Sequence, residues 1–200
     1  MPFATMLRGA LAAALAFSLA ACGINSVPAA EEEAKAKWAD VEAQFQRRAN
    51  LIPNLAEVAK GAAENERTIL TQVTEARAKA TAINITPDDL TDPAKMEAFA
   101  AAQSQLGAGI GRLLASFEAY PQIQSNQNFL ALQSQLEGTE NRIAVAIRDY
   151  NEAVRKYNTT IRTFPDIIGA KVIHGAEPMV PYKAVTEGAE AAPKLDMTTN

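Results

Sequence analysis

The sequence predicts an all-α protein: an antiparallel bundle of four, or alternatively three, long helices with an extended, Pro-containing C-terminal strap. Apolar residues recur at three- and four-residue spacing along most of the chain, which is typical of amphipathic helices. The composition points the same way, since 48% of the 200 residues are hydrophobic but only 6% are aromatic, and the abundant Ala, Gln, Glu and Lys favour helices. No segment shows the convincing alternation of apolar and polar residues that predicts a strand.

The N-terminal segment is predicted to be an export signal rather than part of the fold. Residues 1–21 carry one basic residue, Arg8, followed by an apolar run, and they are too short for a spanning helix with its flanks. They lead into Leu-Ala-Ala-Cys at residues 19–22, which is similar to a bacterial lipobox, where the Cys is acylated and the signal is removed. Because Cys22 is the only Cys in the chain, we interpret residues 1–21 as a lipoprotein signal peptide. The alternative is an ordinary signal peptide that ends near a buried Cys.

Lipidation of Cys22 determines the expected location, because two or three acyl chains hold a protein durably on a bilayer. We expect a protein of the cell envelope, anchored by lipid on the extracytoplasmic side. In a Gram-negative host, the Gly23 that stands where Asp usually signals inner-membrane retention favours the outer membrane, facing the periplasm. Residues 22–30 are predicted to be the acylated Cys and a short tether, since Pro28 opposes an early helix.

The helical bundle is assigned to residues 31–164, and its first part can be divided in two ways. One apolar seam continues from Glu31 to Ile83, interrupted by Pro53 and Gly61, each of which could break the helix. An unbroken helix would be about 80 Å long at 1.5 Å per residue, far longer than the helices that follow. We therefore favour a break, which gives four helices of comparable length.

Two further helices follow a loop that ends at Pro93. Thr91 or Asp92 is the predicted N-cap of the first, which ends at Tyr120. Its glycines at 107–111 are predicted to allow close helix packing, because no strand precedes them as a phosphate-binding loop would require. The last helix is predicted from Ser125 to Phe164. Residues 165–200 contain Pro165 and three further prolines among small residues, and they form the predicted C-terminal strap and tail.

The number of helices also decides where one short apolar segment lies. With four antiparallel helices, the last one ends beside the start of the first, at the lipidated end. Residues 166–173, which include four large aliphatic side chains, would then lie near the bilayer. With three helices they would lie at the far end.

The composition excludes several function classes. A net charge of −4 provides no basic surface for nucleic acid. A single Cys and a single His, His174, cannot form a Cys/His zinc site or a nucleophilic triad with a spare partner. We therefore predict no catalytic residue, no metal and no cofactor, and we expect the protein not to be an enzyme.

The most specific signature is Gln-Arg-Arg-Ala-Asn-Leu-Ile-Pro-Asn-Leu at residues 46–55. It resembles the RR-x-x-LIPNL segment of the LemA family of bacterial envelope proteins. The resemblance continues through blocks that include residues 73–80, 111–114, 118–121 and 136–143. It implies an antiparallel helical bundle outside the cytoplasm, without an established enzymatic activity. The family commonly has an N-terminal transmembrane helix, and here a lipobox replaces it.

Within this signature, Arg47, Arg48, Pro53 and Asn54 are candidate partner-binding residues. Arg48 falls on the apolar seam, where a charge is costly unless it is paired. We favour a structural ion pair with Glu140, or a bond to a tyrosine hydroxyl, over a ligand site. Pro53→Ala is expected to hold or raise stability while impairing partner binding or the geometry of the bundle.

A second candidate set lies on the last helix, where Tyr150 and Tyr157 are one heptad apart and each is followed by Asn, at Asn151 and Asn158. The two tyrosines share a face, and core packing is their favoured role. The two asparagines share a neighbouring face and are predicted to form interhelical hydrogen bonds.

These observations lead to two functional interpretations. The first is a lipid-anchored, non-enzymatic scaffold or adaptor of the cell envelope, in contact with the membrane through its lipid and bound to other envelope proteins. The alternative is a small-molecule or peptide sensor that uses a groove between helices. Association with further copies of the chain is compatible with either one.

Overall fold

The computed structural model describes residues 2–58 and 64–184, with side chains in 25–58, 67–121 and 123–184. This part of the chain is all-helical and contains no strand. Its α-helices are α1 Pro2–Val58, α2 Glu64–Ala82, α3 Pro93–Ser116, α4 Pro121–Gln124, α5 Gln127–Thr160 and α6 Asp166–Gly169. Short 3-10 turns occupy Pro87–Thr91 and Phe117–Ala119, and a π-helical turn at Ala170–His174 follows α6.

Helix α1 begins earlier than the sequence predicts. Residues 22–30, the expected tether, belong to α1, and Val27 and Ala30 are buried. A Pro inside a helix costs about 3 kcal/mol relative to Ala, but burial of the neighbours of Pro28 favours the helical conformation. Cys22 and the predicted signal peptide lie outside the residues whose side chains are described.

The division of the first helical region also differs from the expectation. Helix α1 continues through Pro53 and ends at Val58, so Pro53 is not the break. Helix α2 begins at Glu64. Gly61, the other predicted break, lies outside the described residues.

The contacts between helices show which of them run in opposite directions. Along α1 and α5, Glu33 pairs with Lys156, Trp38 packs on Tyr150, and Arg48 pairs with Glu140, so the order of residues is reversed. Helices α2 and α3 contact each other where Gly109 faces Val73. The α1–α5 pair is therefore antiparallel, and α3 packs on α1 through the contacts of Phe99 with Trp38 and Phe45.

The buried side chains form two apolar clusters along the molecule. The first is centred on Trp38, whose ring meets Phe99 and Tyr150 edge-on at centroid distances of 5.4 and 5.1 Å. The second contains Phe117 and Phe129, 5.6 Å apart. The first cluster includes Val27, Val41, Phe45, Leu90, Val154, Tyr157, Met179 and Tyr182, and the second includes Ile52, Leu55, Val73, Leu106, Leu113 and Leu136. Two buried polar side chains separate these clusters: Arg48 lies between them along α1, and Gln103 lies between them along α3.

The helix ends agree with the sequence in some places and not in others. Of the two predicted N-caps, Thr91 and Asp92, the structure has Asp92, whose carboxylate accepts hydrogen bonds from the amides of Ala94 and Lys95. The N-cap of α5 is Asn126 rather than Ser125, and α5 ends at Thr160 rather than Phe164.

The C-terminal region is not extended throughout, contrary to the prediction. Residues 166–174 are helical, and the small residues Gly169 and Ala170 are the buried part of this segment. The chain then leaves the helical turn at Gly175 and has no regular secondary structure to residue 184. We call residues 176–184 the strap segment.

Candidate functional site

The Arg48 side chain is the charged group buried between the two clusters, and it is only 4% exposed. Its Nη1 donates to Glu140 Oε1 at 3.2 Å, so the ion pair that the sequence predicts is confirmed. Its Nη2 donates to both the backbone oxygen and Oε1 of Gln103, at 2.9 and 2.7 Å. The guanidinium also lies 5.0 Å from the centre of the Phe45 ring. Arg48 therefore joins α1 to α3 and α5 at one level.

Sequence reasoning missed Gln103, although a signal was present. Gln103 is four residues after Phe99 and three before Leu106, so it falls on the apolar seam of α3 just as Arg48 falls on that of α1. Gly107 lies one turn further on, and a Cβ there would approach Arg48 Nη1 to 3.2 Å. The small residue leaves the space that the guanidinium occupies.

Pro53 is tolerated inside α1 because another residue replaces the hydrogen bond that it removes. A Pro has no N–H, so the carbonyl four residues earlier, that of Ala49, loses its helical donor. Arg77 Nε of α2 donates to this Ala49 oxygen at 2.8 Å. The Pro53 ring itself is exposed. The interruption in α1 thus provides a carbonyl that fastens α2 to α1.

This arrangement predicts that the effects of Pro53 and Arg77 on stability are coupled. Pro53→Ala restores a donor for Ala49 and should raise the free energy of unfolding by up to about 3 kcal/mol. Arg77→Ala should cost about 1 kcal/mol in the wild type and much less once position 53 carries an N–H. We expect a coupling of at least about 0.5 kcal/mol in a urea-denaturation double-mutant cycle, with the exposed Lys79→Ala as a control. Strictly additive effects would show that Arg77 does not replace the missing bond.

The second candidate set on α5 binds the strap segment rather than another helix. Asn158 Oδ1 accepts from the Met179 amide at 2.9 Å, and its Nδ2 donates to the Met179 carbonyl at 2.8 Å. Asn151 makes the same pair of bonds with Tyr182, at 2.8 and 3.0 Å. The predicted interhelical role of these asparagines is therefore wrong. A strap with unpaired backbone groups is a better partner than a helix, whose groups are already satisfied.

The tyrosines of α5 are buried, which agrees with the core-packing role that the sequence favoured. Tyr150 also contacts the strap segment. Its hydroxyl donates to the Val180 carbonyl at 2.8 Å. Burial raises the pKa of Tyr150 and of Tyr157, and it raises that of Tyr182 to about 12. All three hydroxyls are therefore neutral at physiological pH.

The strap segment connects the two candidate sets. The Tyr182 ring packs 5.8 Å from the ring of Phe45, which in turn lies under Arg48. The exposed candidates on α1, namely Arg47, Pro53 and Asn54, are not part of this buried arrangement.

A second surface feature follows α5 in the chain. Phe164, Ile168, Val172 and Ile173 are between 52% and 78% exposed, and we call these four residues the apolar patch. Ser26 Oγ of α1 donates to Asp166 Oδ1 at 2.6 Å, within the same segment. The apolar patch therefore lies near the part of α1 that follows Cys22.

Side-chain clusters and pockets decide whether a metal ion or a small ligand can bind. The described residues contain no group of His, Cys, Asp and Glu that could hold a metal ion. One pocket between helices, lined in part by Phe45, Ala80 and Phe99, has a volume of about 110 Å³, whereas sites for small molecules usually exceed about 300 Å³. Larger surface grooves along α5 have volumes of about 340, 350 and 450 Å³. None of the helices, as far as they are described, has an apolar stretch that could cross a membrane.

Comparison with known proteins gives consistent similarities. The family model described as "LemA family" matches residues 37–197. Magnetosome protein MamQ 2 of Paramagnetospirillum magneticum is 29% identical over 157 residues, which are 70% of this chain and 58% of that protein. Magnetosome protein MamQ of Magnetospirillum gryphiswaldense is 28% identical over 150 residues, 67% of this chain and 55% of that protein. Protein LemA of Metamycoplasma hominis is 26% identical over 124 residues, 62% of this chain and 52% of that protein. The chain thus matches little more than half the length of these relatives, whose names state no enzymatic activity.

Proposed function

The chain belongs to the LemA family, and from this premise we propose that it is a lipid-anchored, non-enzymatic helical scaffold or adaptor that binds other proteins of the bacterial cell envelope. Cys22 would carry the lipid, and the long helices would form a four-helix antiparallel bundle extending from the extracytoplasmic face. If the host is Gram-negative, this face would be that of the outer membrane.

The apolar patch is the observation that supports contact with the membrane in this proposal. Exposed large apolar side chains that occur close together mark surfaces that bind a partner or a membrane. Ser26, which is bonded to the segment of the apolar patch, is four residues after Cys22, or about 6 Å along a helix. Between Arg162 and His174 the segment has one acidic residue, and that residue, Asp166, already accepts from Ser26. A lipid surface beside the anchor suits such a patch.

The adaptor side of the proposal rests on the distribution of the candidate residues. Arg47, Pro53 and Asn54 are exposed on α1, at the level of Arg48 and of the second apolar cluster, and far along α1 from Ser26. We propose them as contacts for an envelope protein. Arg48, Tyr150 and Tyr157, by contrast, are buried and support the fold.

A sensor that binds a peptide in a groove is the second candidate function. The bonds from Asn151 and Asn158 to the strap segment favour it, because they recognise an extended backbone. For a small-molecule sensor, the pocket beside Phe45 and Phe99 is too small, and no contact of comparable specificity among the described residues points to a ligand in the larger surface grooves along α5.

A fluorophore at position 168 tests the membrane side. The full chain with Ile168→Cys, labelled after acylation has blocked Cys22 and then bound to vesicles, should be quenched by nitroxide groups on lipid acyl chains and protected from aqueous iodide. Leu130→Cys is the matched control, because Leu130 is equally exposed but lies near the opposite end of α5. Its label should respond to iodide only. The same response from position 168 would contradict contact between the apolar patch and the bilayer.

A further inference from the structure

We propose that the groove between α1 and α5 that holds the strap segment is a binding site for an extended segment of a partner polypeptide, with two large apolar side chains three residues apart. The strap segment occupies this groove within the same chain and gives way to the partner segment. The inference rests on the second candidate function, the binding of a peptide in a groove, and names the class of peptide.

The spacing of the two asparagines matches the repeat of an extended chain. Asn151 and Asn158 are one heptad apart, which is about 10.5 Å along a helix. Met179 and Tyr182, the residues that they bind, are three residues apart, which is about 10 Å in an extended chain. Each carboxamide therefore meets the N–H and the carbonyl of one residue in register, with the strap segment antiparallel to α5.

The polar contacts in this groove are made with the backbone of the strap segment, so they do not select for particular side chains. Besides the four asparagine bonds, the Tyr150 hydroxyl donates to the Val180 carbonyl, and the Val180 amide donates to the Leu90 carbonyl at 2.8 Å. Any residue except Pro at the positions that use their amides could make the same bonds. The groove therefore accepts many sequences in the extended conformation.

Selectivity comes mainly from two side chains. Met179 and Tyr182 are buried in the first apolar cluster, and Val180 between them is partly buried against the same cluster. Pro178, Pro181 and Lys183 are exposed. A competing segment must supply two large apolar residues at this spacing and can vary most at the exposed positions. Met and Tyr suit such a site because the first adapts its shape and the second combines a ring with a polar tip.

The surroundings of the strap segment leave room for exchange. Beside Pro181 a surface groove of about 340 Å³ continues along α5, lined by residues that include Asn151, Val154 and Asn158. The strap segment is joined to the helical part through Gly175, whose φ of +56° suits a residue without a side chain. A rotation there would move the strap segment while the helices stay in place.

A peptide-binding measurement tests the proposal. The probe is a fluorescein-labelled peptide with the sequence of residues 176–184, AEPMVPYKA, titrated against the full chain and followed by anisotropy. In the wild type the tethered strap segment competes at a millimolar effective concentration. A strap-released variant, Met179→Ser with Tyr182→Ser, should therefore bind the peptide at least about tenfold more tightly than the wild type.

Variants of the groove and of the peptide make this test specific. Adding Asn151→Ala and Asn158→Ala to the strap-released variant should weaken binding at least about tenfold, because four hydrogen bonds are lost. Asn141→Ala, an exposed position on the same helix, should leave binding unchanged. A folded strap-released variant that does not bind the peptide would overturn the proposal, as would equal binding of a scrambled peptide.

Hydrogen exchange on the wild type keeps the proposal testable even if the strap-released variant does not fold. The amides of Met179 and Tyr182 should exchange through local opening, well before the buried amide of Val154 on α5 exchanges by global unfolding. Exchange of all three at the same rate would show that the strap segment is a fixed part of the core.

Light scattering tests whether a second copy of the chain occupies the groove. A dimer formed by exchange of strap segments would assign the groove to that second copy instead of a partner polypeptide. Peptide binding without any captured envelope protein would contradict the adaptor function and leave the groove as a peptide site.

Discussion

Replacing Arg48 by Ala is expected to lower the free energy of unfolding by about 3 kcal/mol or more. Two physical effects contribute. Truncation leaves a cavity between the two apolar clusters, and it removes the donor that serves both oxygens of the buried Gln103. Glu140, which is 48% exposed, can be hydrated once its partner is gone. The cost therefore arises from the buried side of Arg48 rather than from its ion pair.

Urea denaturation followed by circular dichroism measures this effect, and the chain provides matched controls. Arg47→Ala removes the same charge from the exposed neighbouring position and should change stability by no more than about 0.5 kcal/mol. Arg48→Met keeps most of the volume and should recover a large part of the loss, because apolar replacements of buried charges are often tolerated. If Arg48→Ala were as mild as Arg47→Ala, the buried guanidinium would not be what joins α1 to α3 at this level.

Cys22→Ala is expected to abolish acylation completely, because the thiol is the group to which the lipid would be attached. Labelling cells with a palmitate analogue should mark the wild type and not the variant, and the variant should leave the membrane fraction. Without its anchor the chain keeps only the apolar patch, and a weak apolar contact alone gives reversible binding. Palmitate label on the Cys22→Ala protein would refute the lipobox interpretation.

The same variant also tests the adaptor function. A photo-crosslinking residue at Asn54, in the exposed part of the signature, should capture envelope proteins in intact cells when Cys22 is present. In the Cys22→Ala background these products should diminish, because the chain is no longer held beside its membrane partners. A crosslinker at Lys79, exposed on α2, serves as the control for random collisions. Equal capture from both positions would argue against a binding surface around Asn54.

The sequence by itself determined the features that depend on residues a few positions apart in the chain. The apolar spacing of three and four residues predicted an all-helical chain, and Asp92 before Pro93 predicted the cap of α3. The position of Arg48 on an apolar seam required a partner, and Glu140 is one. The same signal was present for Gln103. In each case the information lies in the period and polarity of a single helix.

Only the tertiary structure decided which side chains and backbone groups far apart in the chain bind each other. Pro53 was one of two expected helix breaks and does not break α1, because Arg77, 28 residues after Ala49, supplies the donor that Ala49 lost. Asn151 was expected to join helices and instead binds Tyr182, 31 residues later. Helical periodicity specifies which face of a helix a side chain occupies, but the group that this face meets depends on how the helices and the strap segment pack. The roles of Pro53 and of the asparagines were therefore decided by packing, which the local pattern of the sequence does not contain.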